Sequence, residues 1–230
     1  MKKLVAGILD FRKNILPQRL EMFAALAHGQ SPDVLFVTCS DSRVAVNWFA
    51  STDPGDLFVV RNVGNLVPPC DCTEQAMESD QSVAAAIDFA LLNLKINDIV
   101  VCGHSGCGAI QAICSGLDKL PKSNLKSWLK FAQPALSYSG EGLIGDPSLP
   151  REDIISQRNV LQQLEHLKSY PLIQKRLANN DLRLHGWWFK IASGGVYVYD
   201  KGSKKFIIID ERAAGSQLRN GYSPTMDAHP

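Results

Sequence analysis

The sequence predicts an α/β fold with a mostly parallel central sheet flanked by helices. Three short apolar runs support this prediction, and they cover residues 34–37, 57–60 and 99–102. Each run ends abruptly in a polar turn that leads toward a helical pattern, as expected of buried parallel strands joined by helical crossovers. In such sheets, ligands bind at the C-terminal ends of the strands, so the polar turns are the first places to look for chemistry.

The remaining elements follow from the spacing of apolar residues and from turn residues. Helical spacing predicts helices near the start, at 17–28, around Trp48 and Phe49, at 81–94, from about 107, at 122–138 and at 152–168. Strands are expected at 184–192, 196–199 and 206–209, as an antiparallel meander at one sheet edge. We therefore divide the chain into an N-terminal helical arm (1–30), one α/β domain (31–212) and a flexible tail (213–230).

Composition excludes several classes of protein. The chain has 24 basic and 23 acidic side chains, so it lacks the excess of positive charge that a nucleic-acid binder needs. No run approaches the roughly 18 apolar residues of a membrane span. The apolar start ends at Asp10 without a small-residue cleavage site, which predicts a cytoplasmic helix or the interior of a compartment. Six cysteines in such a chain indicate thiols, metal ligands or catalysis rather than disulfides.

Three side chains with metal-binding chemistry lie in the turns that follow predicted strands: Cys39, His104 and Cys107. Two thiolates and one imidazole suit Zn²⁺ and leave a fourth position for water or substrate, as in catalytic zinc sites. A helix that begins near Cys107 would favour the thiolate through its N-terminal dipole. Spacing alone also fits a buried thiol and a core histidine, so both interpretations stay open at this point.

The neighbouring residues add a charged pair. Asp41 and Arg43 follow Cys39 in the string Cys-Ser-Asp-Ser-Arg, and a carboxylate beside a guanidinium at a strand terminus is typical of a positioned functional group. An exposed surface pair is the simpler alternative. The glycine-rich turn at 103–108 does not match a nucleophile elbow or a phosphate-binding loop.

With these motifs, the sequence resembles the β-class carbonic anhydrases. The resemblance rests on Cys-Ser-Asp-Ser-Arg at 39–43, Arg-Asn-Val-Gly-Asn at 61–65, Gly-His-Ser-Gly-Cys-Gly at 103–108 and His-Gly-Trp at 185–187, and it covers most of the chain. It implies a lyase in which one Zn²⁺ per chain, held by Cys39, His104 and Cys107, activates water for the reversible hydration of CO₂ to bicarbonate.

The resemblance also implies roles for the charged pair. Arg43 would fix Asp41, and Asp41 would accept a hydrogen bond from the water on zinc. In some members of the family this aspartate swings onto the metal and closes the site, and the motif of this chain permits both arrangements.

The same resemblance implies a substrate pocket, a plant-like subclass and self-association. The pocket would comprise Gln30, Phe58, Val63, Gly64, Phe89 and Gly108, with Phe89 standing where plant-type members carry a tyrosine. The N-terminal helices would pack on a partner subunit in a homodimer or higher even oligomer.

Two other functions remain possible for the same sequence. One is turnover of a CO₂-like substrate such as CS₂ or COS, and the other is a non-catalytic, zinc-stabilised scaffold. Among the remaining thiols, we expect Cys102 and Cys114 to be packing residues, whereas Cys70 and Cys72 are either incidental loop thiols or part of a second metal site.

Overall fold

A computed structural model describes residues 1–70 and 81–211. Within these residues lies one six-stranded sheet. Its strands are β1 (Val34–Cys39), β2 (Leu57–Asn62), β3 (Asp98–His104), β4 (Arg183–Lys190), β5 (Gly195–Asp200) and β6 (Lys205–Ile208). The order is β2-β1-β3-β4-β5-β6; the first four strands are parallel, and β5 and β6 are antiparallel to their neighbours. The predicted fold class and the C-terminal meander are thus confirmed.

Eight α-helices pack around or extend from this sheet in the described ranges. They are α1 (Lys2–Asp10), α2 (Leu20–Leu26), α3 (Val46–Phe49), α4 (Ser82–Asp88), α5 (Gly108–Ser115), α6 (Asn124–Leu129), α7 (Arg151–Lys168) and α8 (Pro171–Ala178). None of the helices in these ranges is long and apolar enough to cross a bilayer.

Three helical segments differ from the sequence prediction. The predicted helix 122–138 is α-helical only to Leu129 and continues as a 3₁₀ helix over Lys130–Ser137, which contains Pro134. Proline has no N–H to donate, so a regular α-helix is unfavourable there. Helix 81–94 widens into a π-turn over Phe89–Asn93. Helix α8, which begins at Pro171 in the favourable first position, was not predicted.

The two faces of the sheet bury different side chains, as the alternation along a strand requires. Leu35, Val37, Ile99 and Val101 belong to the larger core, which α4 and α7 cover. Their strand neighbours Phe36, Val100 and Cys102 belong to a smaller cluster with Val44, Val46 and Phe189 on the other face. Strands β1 and β3 are therefore buried on both faces, whereas β2 lies at the sheet edge and is only partly buried.

The N-terminal helices contribute nothing to this core. No residue of α1 or α2 is buried, and Leu4, Ile8, Leu9 and Leu20 are largely exposed. Helices lie in the region where the N-terminal arm was expected. The domain boundary at residue 30 stays a prediction. The predicted tail at 213–230 lies outside the described residues.

Candidate metal centre

The three predicted ligands meet at the C-terminal edge of the parallel strands. Cys39 is the last residue of β1, His104 is the last residue of β3, and Cys107 is the N-cap of α5. Their ligand atoms, one nitrogen and two sulfurs, all lie within 4.8 Å of one another, and all three residues are buried. This is the donor set that zinc prefers, and three protein ligands leave one position open.

The histidine is poised to present its Nε2 atom. Its Nδ1 lies 3.0 Å from the Ser105 carbonyl oxygen, which fixes the tautomer that keeps a free lone pair on Nε2. His104 is 0% exposed, and Nε2 is a buried nitrogen without a hydrogen-bond partner among the described residues. A buried polar atom in that state is costly unless something else binds it. The site therefore fits a metal ion on this observation alone.

The two sulfurs lie in an environment that favours negative charge. The Cys39 sulfur accepts hydrogen bonds from the backbone amides of Asp41 and Gly64, each at 3.4 Å. The Cys107 thiol, as donor to the Cys39 sulfur, lowers the pKa of Cys39 most, and burial opposes this effect. The same hydrogen bond, together with burial, raises the pKa of Cys107. The pair thus holds a thiolate next to the free imidazole nitrogen.

Asp41 and Arg43 form a rigid two-point ion pair beside the ligands. Arg43 Nε donates to Asp41 Oδ1 at 2.9 Å and its Nη2 donates to Oδ2 at 2.7 Å, while the Arg43 amide also donates to Oδ1 at 3.0 Å. Oδ2 lies 4.0 Å from His104 Nε2. The Arg43 hydrogen bonds hold the pKa of Asp41 well below its usual range, so Asp41 is a carboxylate and only accepts hydrogen bonds.

Arg61 holds the turn that carries Cys39 and Asp41. Its guanidinium donates to the Cys39 carbonyl at 3.0 and 3.2 Å and to the Asp41 carbonyl at 2.8 Å. The following turn places Gly64 at φ 86° and Asn65 at φ 50°. A Cβ on Gly64 would lie 3.0 Å from the Ala109 Cβ, so glycine suits this position both for its conformation and for the space.

Helix α7 supplies supporting residues that the sequence analysis missed. Asp153 accepts a hydrogen bond from the Gly106 amide at 2.8 Å, Ser156 donates to the His104 carbonyl at 2.9 Å, and Asn159 donates to the Gly64 carbonyl at 3.1 Å. Trp188 donates to Ser156 Oγ at 3.2 Å. The three α7 residues recur every third position, so the sequence did contain a polar stripe, but such a stripe ordinarily marks a solvated face.

The predicted substrate residues lie in three separate places. Gly64 contacts the Cys39 sulfur, Gly108 is the first residue of α5 directly after Cys107, and the Val63 carbonyl accepts a hydrogen bond from Trp128 at 2.7 Å. Phe58 and Phe89 contact each other in a tilted arrangement with ring centroids 5.7 Å apart, near the β2 edge of the sheet. Gln30 is exposed, and its side chain makes no hydrogen bond within residues 1–70 and 81–211. Their substrate-binding roles stay predictions.

The remaining thiols do not extend the site. Cys102 is fully buried in the smaller core cluster, and Cys114 packs partly buried against the cluster that contains Cys107. Cys70 donates its amide to Ser169 at 2.7 Å, and Cys72 lies outside the described residues. Among the described residues, the cluster of Cys39, His104 and Cys107 is the group able to hold a metal ion.

Comparison with known proteins agrees with this site. The carbonic anhydrase family model matches residues 34–196. The chain is 36% identical over 235 residues to a carbonic anhydrase of Synechocystis, covering 97% of this chain and 80% of that protein. It is also 36% identical to a carbonic anhydrase of Pseudomonas aeruginosa, covering 94% of this chain and 97% of that one.

Solved structures agree as well. The β-carbonic anhydrase CcaA superposes with a TM-score of 0.80 at 35% identity, covering 92% of this chain and 93% of that chain. A tetrameric β-carbonic anhydrase from Sordaria macrospora superposes with a TM-score of 0.69 at 30% identity, covering 86% of this chain and 95% of that one.

Proposed function

Because the chain belongs to the β-class carbonic anhydrases, a family whose function is the hydration of CO₂, we propose that it catalyses this reaction reversibly with one zinc ion held by Cys39, His104 and Cys107. The observation that carries the proposal is the buried, unpartnered Nε2 of His104 in a cluster whose ring nitrogen and two buried sulfurs lie within 4.8 Å of one another. When bound, zinc supplies a Lewis acid that lowers the pKa of water to about 7.

Asp41 orients the attacking water in this proposal. Its carboxylate is ionised, so it would accept a hydrogen bond from an O–H of the attacking water and direct the oxygen lone pair toward the carbon of CO₂. Arg43 keeps that carboxylate in place through both of its oxygens and is itself held by the Gly106 carbonyl at 3.1 Å. Because both oxygens of Asp41 are engaged by Arg43, we propose that Asp41 stays off the metal and that the fourth position is open to water.

The backbone around the site positions the ligands. Ser156 and Asp153 fix the His104 and Gly106 peptide groups, and Arg61 fixes the Cys39 peptide group. Preorganised groups of this kind do not need to reorganise during the reaction.

We also propose that the chain self-associates through its N-terminal arm and the β2 edge. The apolar side chains of α1 and α2 are unburied in the single chain, and Phe89 and Leu92 near β2 are 43% and 61% exposed. A solved relative is tetrameric.

The test measures zinc content and stopped-flow CO₂ hydration on the same samples. Cys107→Ser is expected to lose most of its zinc and its activity, because an alcohol at this position is a poor zinc ligand. Cys114→Ser is the matched control, since it makes the same change at a thiol outside the site, and it should retain both. A Cys107→Ser protein with full zinc content and full hydration would refute the ligand assignment. Wild-type protein that binds zinc but does not hydrate CO₂ would refute the proposed activity.

A further inference from the structure

A polar cavity lies on the face of the sheet that α7 covers. Its volume is about 260 Å³, and it is enclosed by the 144–149 loop, α7 and strands β4 to β6. Trp188 and Lys190 of β4 line it, and they share the strand face of Gly186, which packs against Val160 of α7. Gly103 of β3 also faces Val160, so the His104 side chain points to the opposite face. The cavity is therefore separate from the metal centre.

One wall of the cavity carries the side-chain amide of Gln157. Gln157 is 4% exposed and lines the cavity, yet its side-chain amide makes no hydrogen bond within the part of the chain that the structure describes. Neighbouring polar residues of α7 are satisfied by protein groups, as Ser156 and Asn159 show. The residue as a whole is buried, but its amide opens onto the cavity, so one N–H₂ donor group and one oxygen acceptor are available to a bound molecule.

The charges around the cavity favour an anion. Lys190 and Lys205 both line it, and neither ammonium makes a hydrogen bond or a direct ion pair with any of the described residues. Both lower the pKa of Asp146 through longer-range attraction. Asp146 is the acidic residue of the lining, and its Oδ1 already accepts the Ser148 amide at 2.9 Å. Two positive charges and one negative charge leave a net charge of +1 in the lining.

The remaining walls are apolar and aromatic. Trp188, Tyr197 and Phe206 contribute rings, with Trp188 and Tyr197 in an edge-to-face contact at 5.8 Å. Flat apolar walls with a few convergent polar groups are typical of small-molecule sites. A cavity of about 260 Å³ suits a small organic molecule.

We propose that this cavity binds a small organic monocarboxylate with a planar apolar body. Lys190 and Lys205 contact the carboxylate, the rings of Trp188, Tyr197 and Phe206 enclose the apolar body, and the Gln157 amide bonds a polar atom of the ligand. A monoanion neutralises the net charge of the lining, whereas a dianion leaves an unpaired charge in the cavity.

The experiment titrates benzoate into the full-length, zinc-loaded protein by isothermal calorimetry. Benzamide, which has the same shape without the charge, measures the contribution of the carboxylate. Lys205→Gln removes one ammonium, and Gln157→Glu places a like charge beside the ligand at almost constant volume. Lys201→Gln is the matched control, because it removes the same charge from the exposed β5–β6 turn.

Benzoate should bind the wild type at least about tenfold more tightly than benzamide does, given the strength of hydrogen bonds to charged groups. Lys205→Gln and Gln157→Glu should each weaken benzoate binding about tenfold or more, and Lys201→Gln should leave it unchanged. Absence of benzoate binding to the wild type would overturn the proposal. Equal benzoate affinity in all the variants would overturn it too, since benzoate would then occupy another site such as the metal centre. Circular dichroism of each variant checks that the fold is intact, and the surface change Lys205→Gln is the variant least able to disturb it.

Discussion

At the scale of single residues, Arg43 both keeps Asp41 ionised and fixes the orientation of its carboxylate. Arg43 binds both carboxylate oxygens, so the acceptor geometry of Asp41 is set before any substrate arrives. An asparagine at position 41 would have one acceptor oxygen and one N–H₂ donor in place of two acceptor oxygens. Its N–H₂ group would face either Arg43 or the water, and the hydrogen bond accepted there by the carboxylate would be lost.

Asp41→Asn is accordingly expected to lower kcat/KM for CO₂ hydration by about 10² to 10⁴, the range typical of a positioned proton acceptor. Zinc content should stay at the wild-type level, because the three ligand residues are unchanged. Stopped-flow kinetics and metal analysis on one preparation check both statements. The exposed Asp118→Asn is the control, and a zinc-loaded Asp41→Asn enzyme with the wild-type rate would contradict the role given to Asp41.

A second carboxylate, Asp98, governs stability rather than catalysis. It lies at the start of β3, where it accepts hydrogen bonds from Arg183 and from His185 at 2.7 Å. Burial raises the pKa of Asp98, but the hydrogen bonds of Arg183 and His185 outweigh it and bring that pKa down from 3.8 to about 2. A depressed folded-state pKa stabilises the protein above the unfolded pKa, and the stabilisation is lost as the pH falls toward the folded value.

For Asp98→Asn we expect a loss of roughly 2 kcal/mol in the free energy of unfolding at pH 7, from about 1.4 kcal/mol per pKa unit. The difference from wild type should persist at pH 5 and shrink below about pH 4, where the unfolded chain begins to bind the proton. Urea denaturation of both proteins at several pH values measures it. A difference that stayed constant down to pH 3 would show that the Asp98 charge is not its cause.

The sequence identified Cys39, His104 and Cys107 as candidates because each lies at or just after the end of an apolar strand, and parallel strands end at the same edge. Spacing alone left a buried thiol and a core histidine possible, and the resemblance to a known family supplied the ligand set. The sequence did not identify Asp153 or Ser156. Their hydrogen-bond partners, residues 106 and 104, lie 47 and 52 positions away in the sequence. A polar residue in a helix does not indicate by its type or position which distant loop it contacts.

At the scale of elements, α7 is a buried helix with an unusually polar interior face. Asp153, Ser156, Gln157, Asn159 and Gln163 are all buried in it. Ser156 links two elements, since it accepts from the Trp188 indole of β4 and donates to the last carbonyl of β3.

Replacing Ser156 by alanine leaves the buried Trp188 N–H without its partner. The expected cost is about 1 to 3 kcal/mol of unfolding free energy, the usual penalty for a stranded buried donor. Chemical denaturation of the zinc-loaded protein measures it, with Ser127→Ala on the exposed face of α6 as the control. Equal stability of the two variants would mean that Trp188 finds another acceptor, and that the link from α7 to β4 is dispensable.

The spacing of apolar residues predicts the strands of this protein better than its short helices. Strand positions were predicted within one or two residues because buried parallel strands are continuous apolar runs. Helix α8 (Pro171–Ala178) was not predicted because it is short and only one of its eight residues, Ile173, is buried. So short a helix shows little apolar periodicity.

At the scale of the whole molecule, the apolar side chains of α1 and α2 are not packed against the core of the single chain. Their apolar residues account for much of the exposed hydrophobic surface, including Leu4, Val5, Ile8 and Leu9. A contiguous apolar surface of this kind marks an interaction site in soluble proteins.

The double variant Leu4→Gln, Ile8→Gln should therefore weaken self-association at least about tenfold, since burying each side chain contributes about 1.5 to 3 kcal/mol. Sedimentation velocity over a range of protein concentrations reports the change. The paired control Lys2→Gln, Lys3→Gln alters charge on the same helix and should leave association nearly unaffected. An unchanged sedimentation coefficient in the leucine and isoleucine variant would exclude the arm as the contact.

The polar face of α7 has a further consequence for how the protein acquires its site during folding. Its hydrogen bonds reach back to Gly106, Gly64 and Val67 across 47, 95 and 96 residues. Contacts of such long sequence separation form slowly, because much chain must be ordered before they contribute. All three ligand residues leave the ribosome before α7 does, so the nascent chain carries its thiols and imidazole for a time without the helix that fixes their backbone.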